Sequence, residues 1–159
     1  MTLTVVGIDP GETGGLALIN GSVFAMPMPD IWTFSRMLKF EGEFNRNIHV
    51  FIERSQSFPK QGVASSFNYG KHYGELLGVL VAHSIKHTLV PPATWTRALH
   101  VGTKAGDSKA RTLEAVRRLF PGTNLVATER SRKPHLGIVD ALAIAYYGRY
   151  YLQREVNTK

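Results

Sequence analysis

Hydrophobic and polar positions change period along the chain, with short apolar runs of strand type first and helical spacing afterwards. The first two runs are joined by a Pro-Gly turn of hairpin type, from Asp9 to Gly14. A later apolar run ends in the carboxylate of Glu53 and is followed by a polar, Gly-rich loop. The pattern predicts strands over residues 3–9, 14–19, 23–25 and 48–53, a weak helix over Ile31–Phe40, and a loop from Arg54 to about Ser66.

The second half of the chain has the spacing of amphipathic helices. Apolar residues at positions 76, 77, 80, 81 and 85 predict a helix over Tyr69–His87, which leads into a short strand closed by Pro91-Pro92. The expected helices that follow cover Ala93–Leu99 with Trp95 packed inward, a stretch capped by Asp107 or Ser108 and ending at Phe120, and residues 135 to about 153 with Pro134 at their start.

This order of elements predicts a single α/β domain. A hairpin followed by alternating strands and helices indicates a mixed sheet flanked by helices. The chain has 159 residues, which is enough for one substantial core, and it contains no repeat, low-complexity tract or linker. We expect the last residues, from about 154 to 159, to form a disordered tail.

Charge and composition narrow the class of function. The formal net charge of +7 suggests a polyanionic partner, and nucleic acid is the first candidate. A basic protein with no such partner is the alternative. The absence of cysteine excludes disulfides, thiol catalysis and cysteine-based zinc sites. No apolar run reaches the ~20 residues that cross a bilayer, and the first residues do not resemble a signal peptide.

Three acidic residues carry the candidate chemistry. Asp9 and Glu53 each end an apolar strand, and Asp140 lies on an otherwise apolar helix. Carboxylates brought together at one sheet edge repel one another unless cations neutralise them, and hard oxygen ligands suit Mg²⁺ or Mn²⁺. Two such ions would activate a water and stabilise the leaving oxygen of a phosphodiester. The alternatives are that Asp9 caps a turn and that Glu53 forms a surface pair with Arg54.

His135 and Gly137 lie close to the third acid. His135 stands at the start of the last helix and could ligate a metal, act as a general base or contact the scissile phosphate. A histidine without a role is the alternative. Gly137, one turn before Asp140, would leave room for a metal or for backbone to approach.

Basic and aromatic residues are interleaved around these acids, as expected for a surface that binds a DNA backbone and unstacked bases. Phe67 could equally anchor a helix in the core, and the lysines and arginines on helices could simply be a solvated face. The candidate DNA-binding residues are Arg54, Phe58, Lys60, Phe67, Lys71, Lys104, Lys109, Arg132 and Lys133.

The chain resembles the RuvC-type Holliday junction resolvases, especially their short phage and organellar relatives. Five segments match in the family's order: GIDPGETGGLALI, VFIERSQSFPKQGVASSFNYGKHYGELLGVL, LVPPATWTRALH, SKARTLEAVRRLFP and KPHLGIVDALAIAYYGR. The resemblance implies an RNase H-like fold, a homodimer, and cleavage of four-way DNA junctions that depends on two Mg²⁺ ions per site, with Mn²⁺ as a substitute. It implies that Asp9, Glu53 and Asp140 hold the metals, in a protein of the cytoplasm or an organellar matrix.

One position departs from the family pattern. Many relatives have a fourth carboxylate three or four residues before the last acid, where this chain has Gly137 and Leu136. His135 is the substitute ligand that we expect. Two other functions are considered: a catalytically inactive junction-binding protein, and an ATPase of the actin or sugar-kinase type, which would need two domains and a second phosphate loop.

Overall fold

The computed structural model describes residues 3–44, 47–54, 62–104 and 106–157, which form five strands and five helices. The elements are β1 (Thr4–Asp9), β2 (Gly15–Ile19), β3 (Val23–Pro27), α1 (Ile31–Phe44), β4 (Ile48–Glu53), α2 (Val63–Ala82), β5 (Lys86–Val90), α3 (Pro92–Leu99), α4 (Ser108–Leu119) and α5 (Leu136–Asn157).

The strands form one mixed sheet in the order β3-β2-β1-β4-β5. The first three strands are antiparallel neighbours, and β4 and β5 continue the sheet parallel to β1. The central strands β1 and β4 are buried on both faces, which explains why their sequences are continuous apolar runs and do not alternate. The predicted mixed sheet flanked by helices is confirmed.

Two apolar clusters cover the two faces of the sheet. On one face α1 and α2 pack through buried residues such as Phe34, Leu76 and Leu80. On the other face α5 is central, and α3 and α4 pack beside it through Trp95 and Val116. Helix α5 is almost wholly apolar from residue 138 to 145, because it lies directly on the sheet.

The bounds of α2 differ from the prediction over Tyr69–His87. The helix begins at Val63, so the preceding loop ends earlier than expected, and it ends at Ala82. Ser84 has a φ of 54°, and this left-handed conformation turns the chain into β5. Ile85 fits the helical spacing but lies beyond the turn, where it packs against the α1–α2 side of the sheet.

Smaller corrections concern the later helices. Asp107 is the N-cap of α4 and accepts a hydrogen bond from the backbone of Ala110, as predicted, and the helix ends one residue before Phe120. Arg111, one of the helix arginines that could have belonged to a solvated face, is half-buried and donates to Thr103 and to the carbonyl of His100. Helix α5 continues to Asn157, into the segment expected to be a disordered tail.

Candidate active site

Two of the three acids are brought together by the parallel pairing of β1 and β4. Ile8 lies opposite Ile52 in that register, so the next residues, Asp9 and Glu53, leave the sheet side by side. Both are partly buried at the strand ends. The expectation that these two strands deliver carboxylates to one edge therefore agrees with the observed register.

Helix α5 places the third acid against the same edge through glycine contacts. A side chain on Gly7 would collide with the backbone of Ala141, and one on Gly137 would collide with the backbone of Gly14. Gly15 meets the carbonyl of Gly137 in the same way. The helix can thus lie directly on the β1–β2 hairpin, and Asp140 follows one turn after this contact. Of the two purposes considered for Gly137, the close approach of backbone is the one observed.

The acids interact strongly through burial and charge. Burial raises the pKa of Asp9 from 3.8 to about 8, with further contributions from the charges of Asp140 and then Glu53. Burial also raises the pKa of Asp140 to about 7, and the charge of Glu53 adds to this effect. The three carboxylates are therefore one electrostatic cluster, which neither a turn cap nor a surface ion pair explains.

Glu53 has a fixed hydrogen-bond donor. The indole Nε1 of Trp95 donates to Glu53 Oε2 at 2.8 Å. This bond opposes the rise that burial causes in the pKa of the Glu53 carboxyl. The sequence predicted that Trp95 packs inward, and it is 4% exposed. Its bond to Glu53 was not predicted, although a buried indole N–H normally needs an acceptor.

Lys109 faces the site from α4. Its positive charge lowers the pKa of Asp140 and so works against burial and Glu53. The side chain was expected either to bind DNA or to belong to a solvated helix face. Its interaction with Asp140 places a cation near the acid cluster, and its role in DNA binding stays a prediction.

His135 caps the helix that carries Asp140. Its Nδ1 accepts a hydrogen bond from the backbone N–H of Ile138 at 3.3 Å, and its carbonyl accepts from Val139 at 3.1 Å. Its own N–H donates to the carbonyl of Leu125 at 2.7 Å. The histidine therefore has a structural role at the start of α5. A role as metal ligand or base stays a prediction.

The carboxylates of the three acids are not arranged as a complete set of metal ligands. Within the four ranges that the structure describes, no three His, Asp or Glu residues form a group that could hold a metal ion as they stand. The acids lie within range of one another's charges, and binding a cation would require their carboxylates to adjust around it.

Comparisons with solved structures identify the fold. T. thermophilus RuvC in complex with a Holliday junction substrate matches with a TM-score of 0.61 and 17% identity, over 96% of this chain and 96% of that chain. A second structure of Thermus thermophilus RuvC matches with a TM-score of 0.59 and 21% identity, over 96% and 97% of the two chains. The chain has the RNase H-like fold of RuvC. The Fowlpox virus resolvase in complex with Holliday junction DNA matches more weakly, with a TM-score of 0.50 and 12% identity over 92% and 99%.

The resemblance to RuvC is therefore confirmed at the level of the fold. No protein-family model matches the chain, and a comparison with curated proteins also gives no match. The structural matches are spread over almost the whole chain. They agree with the five sequence segments, which also extend from the first strand to the last helix.

The predicted DNA-binding side chains of this RuvC-like chain fall into four groups. Phe58 and Lys60 lie outside the described residues. Phe67 is 69% exposed on α2, so its alternative as a core anchor is wrong. Lys71 is exposed but within 3.8 Å of Glu75, which partly neutralises it. The remaining exposed candidates are Arg54, Lys104, Lys109, Arg132 and Lys133.

Two further observations concern parts of the structure outside the candidate site. A cavity of about 350 Å³ lies on the other side of the sheet, between α1 and the first strands, and is lined mainly by apolar residues such as Leu16, Phe34 and Leu38. It contains none of the three acids and has no part in the site. No helix in the described part of the chain is long and apolar enough to cross a membrane.

Proposed function

We propose that this protein is a metal-dependent endonuclease that cuts four-way DNA junctions. The observation that carries the proposal is the buried cluster of Asp9, Glu53 and Asp140 on the fold of RuvC. The T. thermophilus and Fowlpox virus proteins with this fold were solved with Holliday junction DNA. The formal net charge of +7 gives this chain the electrostatics of a nucleic-acid-binding protein.

The acid cluster fits Mg²⁺. Its donors are carboxylate oxygens, which are the ligands that Mg²⁺ prefers. A cation would relieve the burial and repulsion that raise the pKa of Asp9 and Asp140. Asp9, Glu53 and Asp140 would hold two ions, and Mn²⁺ would substitute. When bound, the ions would lower the pKa of a water and stabilise the leaving oxygen of the phosphodiester.

Residues of this chain would position the scissile phosphate and the attacking water. The strand-end acids are fixed by the register of β1 and β4, and Asp140 is fixed by the glycine contacts of α5. Lys109 would contribute positive charge beside the scissile phosphate. His135 would orient the attacking water or complete the ligand set in place of the family's fourth carboxylate. Cleavage would leave 5′-phosphate and 3′-hydroxyl ends.

DNA binding would use the exposed basic residues next to the cluster. Arg54 directly follows Glu53, and Arg132 and Lys133 come just before His135. Lys71 and Lys104 would extend this surface, and Phe58 and Lys60, which lie outside the described residues, are also proposed to contact DNA. Phe67 would offer its exposed ring to unstacked bases.

The exposed face of α2 supports the homodimer that the family resemblance implies. Gly70, Gly74 and Gly78 recur every four residues, and a Cβ on any of them would meet nothing within 4 Å. Glycine costs about 1 kcal/mol relative to alanine inside a helix, and no contact with another described residue requires it at these positions. Val81, on the same face, is 67% exposed. Close packing of α2 against a second copy would account for these residues.

The inactive junction-binding protein remains the second candidate, because the family's fourth carboxylate is absent. The ATPase is disfavoured, since the solved structures that match most of the chain include proteins in complex with Holliday junction DNA and the candidate site is a cluster of carboxylates. A purified protein incubated with labelled four-way junctions and with linear duplex, with and without Mg²⁺, tests both. Symmetric nicking of the junction in Mg²⁺ is the expected result. Binding without cleavage in Mg²⁺ and in Mn²⁺ would favour the second candidate.

The variant Asp9→Asn provides the matched control. It should abolish cleavage and retain junction binding, because it removes one metal-binding carboxylate and leaves the basic surface unchanged. Full cleavage by this variant would overturn the assignment of the acids as metal ligands.

A further inference from the structure

Trp95 is a buried residue of α3 that contacts one of the three acids, which are carried by other elements. Its Nε1 donates to Glu53 Oε2 at 2.8 Å, and the ring is packed in the cluster that α5 forms with the sheet. An indole N–H can only donate, so the bond has one possible direction. The contact joins the core of the protein to a carboxylate of the site.

The backbone fixes the distance between these two residues. Glu53 lies opposite Val90 in the pairing of β4 with β5, and the N–H of Arg54 donates to the carbonyl of Val90 at 2.8 Å. Pro91 is the N-cap of α3, so the helix begins at once after the strand and Trp95 falls in its first turn. The indole therefore reaches Glu53 through rigid elements, with no flexible loop between them.

We infer that Trp95 is a positioning residue that holds the Glu53 carboxylate in a single orientation, with Oε2 occupied by the indole and Oε1 left for the metal. The inference rests on the proposed function, since the metal gives that orientation its purpose. An arrangement of this kind is the usual way in which residues outside the ligand set raise metal affinity.

A purely structural bond is the competing explanation. A buried indole needs an acceptor, and a neutral acceptor would satisfy it without the cost of burying an acid. The two explanations differ in what they predict for the metal. A structural bond affects only the stability of the fold, whereas a positioning bond affects the affinity of the site for the ion.

The first experiment is NMR of the two indole N–H groups in the wild-type protein. Trp32 is 79% exposed and serves as the internal control. The Trp95 resonance should exchange slowly with solvent, shift on titration with Mg²⁺ and shift on the substitution Glu53→Gln, while that of Trp32 stays in place. A Trp95 resonance whose chemical shift changes neither with Mg²⁺ nor in Glu53→Gln would overturn the inference.

The second experiment measures Mg²⁺ and Mn²⁺ affinity by calorimetry in Trp95→Phe, with Trp32→Phe as the matched control. We expect the affinity to fall about 10–100-fold in Trp95→Phe only. On junction DNA the turnover number should fall while KM for the junction changes little. Replacement of Trp95 by 3-benzothienylalanine, which keeps the ring shape and lacks the N–H, separates the lost bond from lost packing if Trp95→Phe folds poorly. Unchanged metal affinity in the folded variant would show a structural bond.

These readouts separate the inference from the proposed function. A wild-type protein that binds Mg²⁺ and loses affinity in Trp95→Phe, yet cuts no junction, would refute the nuclease and support the role of Trp95. If the wild type cuts junctions, and Trp95→Phe both cuts junctions at the normal rate and binds Mg²⁺ equally well, the nuclease would be supported and the role of Trp95 refuted. A wild-type protein that binds neither ion would refute both.

Discussion

Substitution of Asp9 by asparagine should stabilise the metal-free protein at alkaline pH. Burial and the charges of Asp140 and Glu53 raise the pKa of Asp9 from 3.8 to about 8. The folded protein therefore holds the Asp9 proton more tightly than the unfolded chain does. The stability linked to this proton is fully present below about pH 4 and is lost as the pH rises through about 8.

The size of the effect follows from the same shift. At 1.36 kcal/mol per pH unit, a pKa that moves from 3.8 to about 8 corresponds to about 5–6 kcal/mol of lost stability at about pH 9. This value is an upper bound, because Asp140 titrates near pH 7 in the same cluster and the two acids share their protons. We expect Asp9→Asn to gain at least about 2 kcal/mol over the wild type under these conditions.

The assay is urea denaturation in EDTA at about pH 5 and about pH 8.5. The difference between Asp9→Asn and the wild type should be large at the higher pH and small at the lower one. Asp30→Asn is the control of opposite sign, because Asp30 accepts hydrogen bonds from Thr33 that lower the pKa of its carboxyl. That variant should lose a similar amount of stability at both pH values, because the lowered pKa of Asp30 leaves its carboxyl ionised at each of them. Equal pH profiles for Asp9→Asn and the wild type would refute the buried, coupled cluster.

Three further predictions concern single residues around the site. His135→Ala should lower the cleavage rate at least about 100-fold if the imidazole acts as a base. His135→Asn keeps an acceptor that can cap the helix and should be equally slow. A normal rate in His135→Asn would show that the histidine only caps α5. Gly137→Ala should destabilise the fold by about 1–3 kcal/mol and weaken Mg²⁺ binding because its Cβ meets the Gly14 backbone. Thermal melts should find no such loss in Gly106→Ala, whose added Cβ would meet nothing within 4 Å. Gly74→Leu should convert the proposed dimer to monomer in light scattering, with Asn68→Leu as the control on α2. A variant that is as dimeric as the wild type would place the interface elsewhere.

The sequence predicted the sheet and the arrival of Asp9 and Glu53 at one edge of it, because both depend on local pattern. Apolar runs ending in Asp9 and Glu53 could be read directly, and parallel strands carry their ends to one edge. Helix α2 was placed less well, since Ile85 continues the helical spacing beyond the turn at Ser84. Periodicity alone does not show a left-handed residue that is not glycine.

The details that complete the site depend on contacts between distant segments. The bond from Trp95 to Glu53 needs the register of β4 and β5, and the charge of Lys109 reaches Asp140 only through the packing of α4 on α5. Gly7 and Gly15 fall within predicted strands, as observed, but the strand pattern did not explain why glycine occupies these two positions. Their purpose became visible only with α5 lying against them.

The three acids differ in how far neighbouring residues oppose the rise in their pKa that burial causes. Trp95 lowers the pKa of Glu53, and Lys109 lowers the pKa of Asp140, whereas all three effects on Asp9 raise its pKa. Among the interactions of Asp9 with described residues, none offsets the cost of ionising it near neutral pH, and a divalent cation next to this carboxylate would do so. A protein that only bound junctions would be more stable with asparagine at this position. Retention of the acid at the point of least compensation favours a metal-dependent enzyme over an inactive binder.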